Sequence, residues 1–284
     1  MTKPLFIWAG GKTKVIKHYK PYFPTQVNSY VEPFFGGGGM FCYIVETYNP
    51  QHLWINDINS DIISIYKSIK SDYDRFLVRL NELEAQYIPL SKEDRKKLYY
   101  TIREEHAWDY QKWDKTIEAS TLYFLMKTGF NGIYQLNKNT NGRYGTPSGL
   151  LNQKTQVYDR NVLNWWNNAL QRTTVTSGDW SACIMDKPDT FYFYDPPYRD
   201  SFADYGNSFG DESLSKLIAT GESLNNVFIA NRADDEYFDD KVKTLNVHYF
   251  DITYTAGRRK KGVDGNYTAK KAREILLYKT DRWI

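Results

Sequence analysis

The stretch "SYVEPFFGGGGMFCYIVETY", residues 29–48, joins a strand to a helix through four consecutive glycines. We expect Tyr30–Glu32 to be extended, Gly36–Gly39 to form a loop and Met40–Tyr48 to be helical. Glycine permits a tight turn and close approach of a ligand, and the first turn of the helix leaves N–H groups free. A glycine loop between a strand and a helix therefore predicts a nucleoside ligand. The pattern fits neither G-x-x-x-x-G-K-[ST] nor G-x-G-x-x-G, so it does not say which nucleoside.

The flanking segments extend this unit into a sheet. Leu53–Asn56 reads as a second strand, followed by a helix with apolar residues at helical spacing, namely Ile62, Ile65, Tyr66 and Ile69. Strand and helix patterns alternate again after residue 170, through "TTVTSGDW", "TFYFYDPPY", "NVFIANR", "VHYFDITYT" and "REILLYKT". This rhythm predicts the α/β class, with a Rossmann-like parallel sheet and helices on both faces.

The middle of the chain interrupts the rhythm. Residues 72–128 read as helices, and "TGFNGIYQLNKNTNGRYGTPSG", residues 128–149, contains two Asn-Gly pairs between β-formers. These pairs predict a β-hairpin with its tip near Lys138–Gly142. We therefore expect one catalytic domain built from residues 1–70 and 170–284, with residues 71–169 inserted as a separate helical and hairpin unit.

Composition narrows the class of protein. Of the 284 residues, 41% are hydrophobic and 25% are charged, which is typical of a globular chain. No apolar run reaches membrane-spanning length, and "MTKPLFIWAGGKTKV" has no h-region, so we expect neither a membrane anchor nor a signal peptide. Two thiols, Cys42 and Cys183, make neither a disulfide framework nor a zinc site, and favour the cytoplasm.

An unusual corner follows the aromatic strand at residues 191–194. Asp195-Pro196-Pro197-Tyr198 places a carboxylate and a ring on a segment whose two prolines fix two φ angles. In an open α/β sheet, ligands bind at the carboxyl ends of strands. Asp195 and the Pro196 carbonyl can hold the two hydrogens of an aromatic amino group, and Tyr198 can stack on its ring. The corner therefore predicts a site that holds a planar amine in line with an electrophile.

Several motifs in order resemble the Dam-type DNA adenine-N6 methyltransferases. They are "WAGGK" (8–12), "EPFFGGGGMF" (32–41), "INDIN" (55–59), "FNGIYQLN" (130–137), "SGDW" (177–180), "DPPY" (195–198) and "AREILLY" (272–278). The resemblance covers nearly the whole chain. It implies a methyltransferase fold, methylation of adenine N6 in double-stranded DNA, S-adenosylmethionine as the methyl donor, and a target base that leaves the duplex. It implies no metal, and residues 71–169 become a target-recognition domain.

The resemblance also implies roles for individual residues. Asp195, Pro196, Pro197 and Tyr198 match the catalytic motif. The positions that match the cofactor pocket are Trp8, Gly11, Lys12, Phe35, Gly36, Gly37, Asp57, Asp179 and Asp195. Asp57 follows the second strand, where an acid can accept hydrogen bonds from a ribose. From the residues alone, a helix cap for "INSDII" is an equally good interpretation of Asp57, and the resemblance favours the ribose.

A further set of residues is implied in DNA binding. It comprises Phe130, Asn131, Ile133, Gln135, Asn137, Arg143, Pro147, Arg258, Arg259 and Lys260. Phe130 matches a wedge beside the flipped base, and Ile133 and Pro147 match apolar contacts to a thymine methyl. GATC-specific members carry Arg where this chain has Gln135, so we expect a GATC-like but altered recognition sequence. The "GRRKKG" cluster at 257–262 fits either a loop on phosphates or a solvated loop.

Other functions remain open at this stage. "DPPY" can handle cytosine N4 or another planar amine, and a protein of the same fold could bind DNA without catalysis. The intact Asp195, Tyr198, Trp8 and Lys12 argue against loss of catalysis, and the hairpin favours adenine in duplex DNA. The sequence leaves open whether a restriction endonuclease is a partner.

Overall fold

The computed structural model describes most of the chain, namely residues 2–8, 10–149, 155–185, 187, 189–198, 209–233, 236–254, 260–261, 267–268 and 270–281. Its strands are β1 (Ser29–Glu32), β2 (His52–Asp57), β3 (Thr173–Ser177), β4 (Thr190–Tyr194), β5 (Asn226–Arg232), β6 (Asn246–Tyr254), β7 (Lys260–Lys261), β8 (Tyr267–Thr268) and β9 (Lys270–Lys279). Its α-helices are α1 (Ile16–Tyr19), α2 (Gly39–Tyr48), α3 (Ser60–Ser71), α4 (Tyr73–Tyr87), α5 (Lys92–Trp108), α6 (Lys115–Thr128), α7 (Arg160–Gln171) and α8 (Asp211–Glu222).

Within these residues, seven strands form one sheet in the order β3-β2-β1-β4-β5-β9-β6. The neighbours from β3 to β5 pair in parallel, and β9 is antiparallel to both β5 and β6. The α/β fold class predicted from the sequence is confirmed, with a parallel core and an antiparallel edge. Because these strands are parallel, their carboxyl ends meet at one edge of the sheet, although the strands come from both halves of the chain.

The aromatic strand β4 lies at the centre of this sheet and is buried on both faces. Phe191 and Phe193 pack into one core, together with Phe228 and residues of α2, α3, α6 and α7. Tyr192 and Tyr194 point the opposite way, into a second core that includes apolar residues of α8. Because side chains alternate along a strand, the run "FYFY" supplies aromatic rings to both layers of helices.

Helix α6 lies among the helices between β2 and β3, in contact with α3, α4 and α5. This helix buries Leu122, Tyr123, Phe124, Leu125 and Met126 in succession, so it is covered on every side. The helix therefore forms the centre of this group of helices rather than a surface layer. The boundaries of the two proposed domains stay a prediction.

The predicted hairpin follows α6 as two antiparallel arms, residues 129–148, here called the hairpin. Isolated bridges join Gly129 to Ser148 and Leu136 to Tyr144. The ladder is not continuous, because Asn131 and Gly132 adopt left-handed φ angles of 54° and 64° within a 3₁₀ turn. The arms are nonetheless paired near the predicted tip.

Helix α5 holds the hairpin in place along its length. The Tyr99 hydroxyl donates to the Thr146 carbonyl at 2.8 Å, and Asn141 Nδ2 at the tip donates to the Ala107 carbonyl at 3.3 Å. The arms therefore start from a fixed base.

Within the part of the chain described, no helix combines the length and apolar character needed to cross a membrane.

Candidate functional site

Four predicted segments converge at the carboxyl edge of the sheet. The glycine loop follows β1, Asp57 is the last residue of β2, Asp179 lies two residues beyond β3, and Asp195 comes directly after β4. These four strands are adjacent and parallel, so their ends are neighbours in space. The structure thus brings together segments that are separated by up to 160 residues or so in the chain.

Lys12 and Asp195 form a largely buried ion pair at this edge. Lys12 Nζ donates to Asp195 Oδ2 at 2.7 Å and to the Gly10 carbonyl at 2.7 Å. The two side chains are only 5% and 19% exposed. Burial raises the pKa of the Asp195 carboxyl, and the Lys12 charge and hydrogen bond oppose that rise. The lysine therefore favours the ionised form of a carboxyl group that burial alone shifts towards the protonated form.

The rest of the corner lies beside this pair. Lys12 Nζ is 4.9 Å from the centre of the Tyr198 ring, within the range of a cation–π contact. Pro196 is buried, whereas Pro197 and Tyr198 are half-buried. The structure therefore places the predicted catalytic residues against Lys12, which the sequence assigned only to the cofactor pocket.

Glu32 is a buried acid near this pair that was not among the predicted site residues. It ends β1, it is buried, and its Oε2 accepts a hydrogen bond from the Tyr30 hydroxyl at 2.8 Å. Burial raises the pKa of Glu32 well above its usual range, and the negative charge of Asp195 adds to this rise. The available signal was an acid at the end of a core strand, immediately before Pro33.

Asp57 ties the glycine loop to the end of β2. Its Oδ2 accepts the N–H of Gly36 at 2.8 Å, and its Oδ1 accepts the N–H of Asn59 at 2.9 Å. Burial raises the pKa of Asp57, and these backbone hydrogen bonds oppose the rise. The alternative interpretation of Asp57 as the helix cap is wrong, because the Asn59 side chain caps α3 by accepting from Asp61 and Ile62.

The glycine loop packs closely against Trp8. Gly36 has φ 52°, and a Cβ added there would lie 2.5 Å from Trp8 Cδ1. A Cβ at Gly37 would lie 3.0 Å from Trp8 Cβ, so neither position has room for a side chain. The Tyr66 hydroxyl, which the sequence analysis assigned to packing, donates to the Gly36 carbonyl at 3.0 Å.

Two other residues predicted to bind the cofactor, Phe35 and Gly11, lie in the core and in a turn respectively. Phe35 is buried in the core edge-on to Tyr66, with ring centres 4.8 Å apart, so only its backbone can face a ligand on the loop. Gly11 makes a turn in which its N–H donates to the Trp8 carbonyl at 3.1 Å. This turn leads directly into Lys12, whose Nζ also donates to the Gly10 carbonyl.

Asp179 and Ile58 flank the far side of the same edge. Asp179 is exposed, and its Oδ1 accepts hydrogen bonds from Ser181, which lower the pKa of this carboxyl. Ile58 follows Asp57 directly and is 51% exposed. An exposed apolar side chain next to Asp57 can cover the flat face of a base. The sequence signal for Ile58 was its place between Asp57 and Asn59 in "INDIN".

The hairpin presents several of the predicted DNA-binding residues to solvent. Phe130 and Ile133 are 42% and 44% exposed, and Asn131, Gln135 and Pro147 are also exposed. Exposed apolar side chains of this size on one segment are typical of a binding surface. The described part of the chain therefore leaves these five residues accessible to a macromolecule.

Two other hairpin residues have partners inside the protein. Arg143 forms an ion pair with Glu118 and stacks on Tyr110, with its guanidinium carbon 3.6 Å from the ring centre. Asn137 Oδ1 accepts the N–H of Asn139 at 2.9 Å and so closes the turn at the tip. Both residues support the shape of the hairpin in the structure, and their predicted contacts with DNA stay predictions.

The basic cluster lies largely outside the described residues. Arg258 and Arg259 lie outside the described residues. The backbone of Lys260 is described, and it pairs with Thr268 in the two-residue ladder of β7 and β8. Among the described residues, no group of three or more His, Cys, Asp or Glu side chains is arranged to hold a metal ion.

Comparison with known proteins identifies the family of this site. The model of the D12 class N6 adenine-specific DNA methyltransferases matches residues 8–256. The chain belongs to that family. The predicted resemblance is thus confirmed, and the chain is a DNA methyltransferase of the adenine-specific class.

Individual relatives of this methyltransferase agree with the family match. The Type II methyltransferase M.MjaIII of Methanocaldococcus jannaschii is 28% identical over 263 residues, which cover 86% of this chain and 89% of the relative. The Type II methyltransferase M.CviBI of Paramecium bursaria Chlorella virus NC1A is 29% identical over 218 residues, 76% of each chain. The DNA adenine methylase of Escherichia coli K12 is 27% identical over 224 residues, 76% of this chain and 74% of the relative.

Proposed function

We propose that this methyltransferase transfers a methyl group from S-adenosylmethionine to N6 of an adenine that has left duplex DNA. The observation that carries the proposal is the Lys12–Asp195 pair at the end of β4, beside the glycine loop and Asp57. It combines an ionised acceptor for an amino group with a nucleoside pocket at the same edge of the sheet.

The residues at the edge fit S-adenosylmethionine. When bound, this cofactor supplies an electrophilic methyl group. Asp57 would accept hydrogen bonds from the ribose, Ile58 would cover the adenine ring of the cofactor, and Trp8 and Lys12 would line its methionine end. Asp57 fits the ribose because its carboxylate is fixed by two backbone N–H groups and is only half-buried. Its orientation is therefore set before the cofactor binds.

Asp195 would hold and orient the target amino group. Its Oδ2 accepts from Lys12, and among the described residues no hydrogen bond reaches its Oδ1. We propose that Oδ1 accepts one N6 hydrogen and the Pro196 carbonyl accepts the other, which favours a pyramidal nitrogen. As the bond between N6 and the methyl carbon forms, the bond from that carbon to sulfur would break and S-adenosylhomocysteine would leave. Asp195 stabilises the positive charge that develops on the amine, and it can accept the departing proton.

The position of this corner supports a target base that leaves the helix. Asp195 is mostly buried at the end of a central strand, and a base stacked within a duplex is a poor fit to such a position. We propose that the target adenine is flipped out, stacks near Tyr198, and is replaced in the duplex by the exposed Phe130 ring. Arg258, Arg259 and Lys260 are proposed to contact phosphates.

We propose that the exposed Gln135 makes the recognition sequence GATC-like but altered. Arginine at this position would hold guanine O6 and N7, whereas glutamine pairs with adenine N7 and N6. Gln135 is exposed on the same arm as Ile133, so it can reach a base edge in the major groove. Ile133 and Pro147 are proposed to contact thymine methyl groups.

Gln135→Arg is expected to raise the preference for guanine at the outer base pair. One bidentate contact discriminates by roughly 1–3 kcal/mol, about one to two decades in rate ratio. Sequencing of random duplex DNA methylated by each protein measures this. Asn139→Arg, at the exposed tip, is the control for added charge. Identical motifs for wild type and Gln135→Arg, or a strict GATC motif for the wild type, would contradict the assignment.

Asp57→Ala is expected to raise the dissociation constant of S-adenosylmethionine more than it lowers the saturated rate. The variant removes the acceptor of the ribose and also frees the Gly36 N–H, but both effects are distant from the reacting methyl. Calorimetric titration of each protein with the cofactor gives the comparison. Asp74→Ala, in the first turn of α4, tests whether loss of an acid near the start of a helix suffices. Unchanged affinity in Asp57→Ala would refute the ribose role.

The proposed reaction can be tested by nucleoside analysis. Unmethylated duplex DNA is incubated with the protein and S-adenosylmethionine, digested, and separated by mass spectrometry. We expect N6-methyldeoxyadenosine. N4-methyldeoxycytidine in its place would support the cytosine alternative, and an unmodified duplex would support a protein that binds DNA without catalysis.

Two of the relatives are named Type II methyltransferases, and this supports treating a restriction endonuclease as a candidate partner. The expected cytoplasmic location stays a prediction that rests on the two unpaired thiols, Cys42 and Cys183.

A further inference from the structure

Trp8 lies between the glycine loop and the hairpin. One side of its indole fills the space beside Gly36, where an added Cβ would be 2.5 Å away. On the hairpin side, its ring centre is 5.7 Å from that of Tyr134, at an interplanar angle of 40°. The tryptophan that is proposed to line the cofactor pocket therefore also contacts the hairpin that is proposed to bind DNA.

Tyr134 makes a second connection to the cofactor edge. Its hydroxyl donates to Asp61 Oδ2 at 2.7 Å. Asp61 lies in the first turn of α3, whose start is fixed by Asn59, and Asn59 in turn donates its N–H to Asp57. Burial raises the pKa of Tyr134 well above its usual range, so the hydroxyl keeps the proton that it donates.

The neighbours of Tyr134 set its position within the hairpin. It stands between Ile133 and Gln135, the two exposed residues proposed to contact bases. Side chains alternate along an extended arm, so Tyr134 points away from the side of the arm that carries Ile133 and Gln135. Because the three residues are consecutive, a movement of Ile133 and Gln135 also moves Tyr134. A Cβ at Gly132, with φ 64°, would lie 3.0 Å from Ile7 Cβ, and Ile7 adjoins Trp8. The arm is thus packed against the segment that carries Trp8.

We propose that Tyr134 is a positioning residue that couples DNA binding by the hairpin to the cofactor pocket, through Trp8 on one side and Asp61 on the other. The inference rests on the proposed function, because it takes S-adenosylmethionine and DNA as the two ligands. When DNA fixes Ile133 and Gln135, Tyr134 holds Trp8 against the glycine loop and so tightens the cofactor site. By linkage, a bound cofactor tightens the grip of the hairpin on DNA to the same extent.

The test measures cofactor affinity with and without DNA. The probe is S-adenosylhomocysteine, titrated in the absence and presence of a saturating duplex that carries the sequence found by methylation mapping. The coupling ratio is the dissociation constant without the duplex divided by that with it. For the wild type we expect a ratio of about 5 or more, the usual lower range for coupled sites.

Substitutions then locate the coupling. Tyr134→Ala is expected to bring the ratio to about 1 while the affinity for S-adenosylhomocysteine alone changes by less than about threefold. Tyr134→Phe keeps the ring and removes the bond to Asp61, so it should lower the ratio in part and serves if Tyr134→Ala fails to fold. Asp61→Asn should lower the coupling ratio to a similar degree. The double variant Tyr134→Phe, Asp61→Asn should lower the ratio no further than either single variant, because both changes remove the same hydrogen bond.

A matched tyrosine provides the control. The Tyr73 hydroxyl donates to Asn164 Oδ1 at 2.6 Å, away from Trp8, and Tyr73→Phe should keep the wild-type ratio. A wild-type ratio of 1, or a full ratio in Tyr134→Ala, overturns the coupling while binding and methylation persist. If instead the wild type neither methylates DNA nor binds S-adenosylhomocysteine, the proposed function itself has failed.

Discussion

Asp195→Ala is expected to abolish measurable methyl transfer while the protein still binds S-adenosylmethionine. In the proposed site, Asp195 holds the target amine through Oδ1, because Oδ2 accepts from Lys12. Trp8, the glycine loop and Asp57 are proposed to hold most of the cofactor. Loss of a charged acceptor that acts in the transition state should lower the rate by about 100-fold or more. The saturated rate and the cofactor dissociation constant, measured on the same preparation, separate the two effects.

The control for this variant is another lysine–aspartate pair in the same chain. Lys112 Nζ lies 2.6 Å from Asp109 Oδ1, and both side chains are well exposed. Asp109→Ala should keep wild-type turnover, because a surface pair of this kind contributes little. Near wild-type turnover in Asp195→Ala would remove Asp195 from the reaction and with it the proposed role of the corner.

Lys12→Met is expected to shift the acid limb of the pH–rate profile to higher pH. Burial raises the pKa of Asp195 and Lys12 opposes that rise, so removal of the lysine raises the pKa further. A protonated carboxyl no longer offers a charged acceptor, and the rate therefore falls as the pH drops through this pKa. At pH values below the limb, each unit of displacement should cost about tenfold in rate.

The measurement is the rate at saturating S-adenosylmethionine and DNA over a range of pH, so that weaker cofactor binding does not contribute. Lys112→Met, which breaks the exposed pair with Asp109, should leave the profile unchanged. If Lys12→Met lowers the rate by the same factor at every pH, Lys12 does not act through the ionisation of Asp195.

Local patterns in the sequence were enough to predict the parallel sheet and the edge that carries the site. The glycine run, the apolar spacing after Asp57 and the aromatic run before Asp195 each specify a strand, turn or helix over fewer than 20 residues or so. A parallel sheet then places the strand ends together without further information. For the start of α3, the residues alone left a cap by Asp57 open as an alternative, and the structure shows that Asn59 accepts the free N–H groups there.

The contacts that set the chemistry could not be predicted in this way. The Lys12–Asp195 bond joins residues 183 positions apart, and the Tyr134–Asp61 bond joins residues 73 apart. No periodicity links such pairs, because their distance depends on how whole elements pack. The same holds for Arg143, whose charge suggested DNA and whose side chain pairs with Glu118 and Tyr110. The position of β9 between β5 and β6 likewise follows from long-range pairing.

The most direct test of the central claim, that the Asp195 corner methylates adenine N6, is mapping of modified bases at single-nucleotide resolution. Random duplex DNA is treated with S-adenosylmethionine and either the wild type or Asp195→Ala. We expect N6-methyladenine at one defined sequence for the wild type, GATC-like and altered at the outer pair, and none for the variant. Methyl groups on cytosine, or the same adenine pattern from both proteins, would contradict the account.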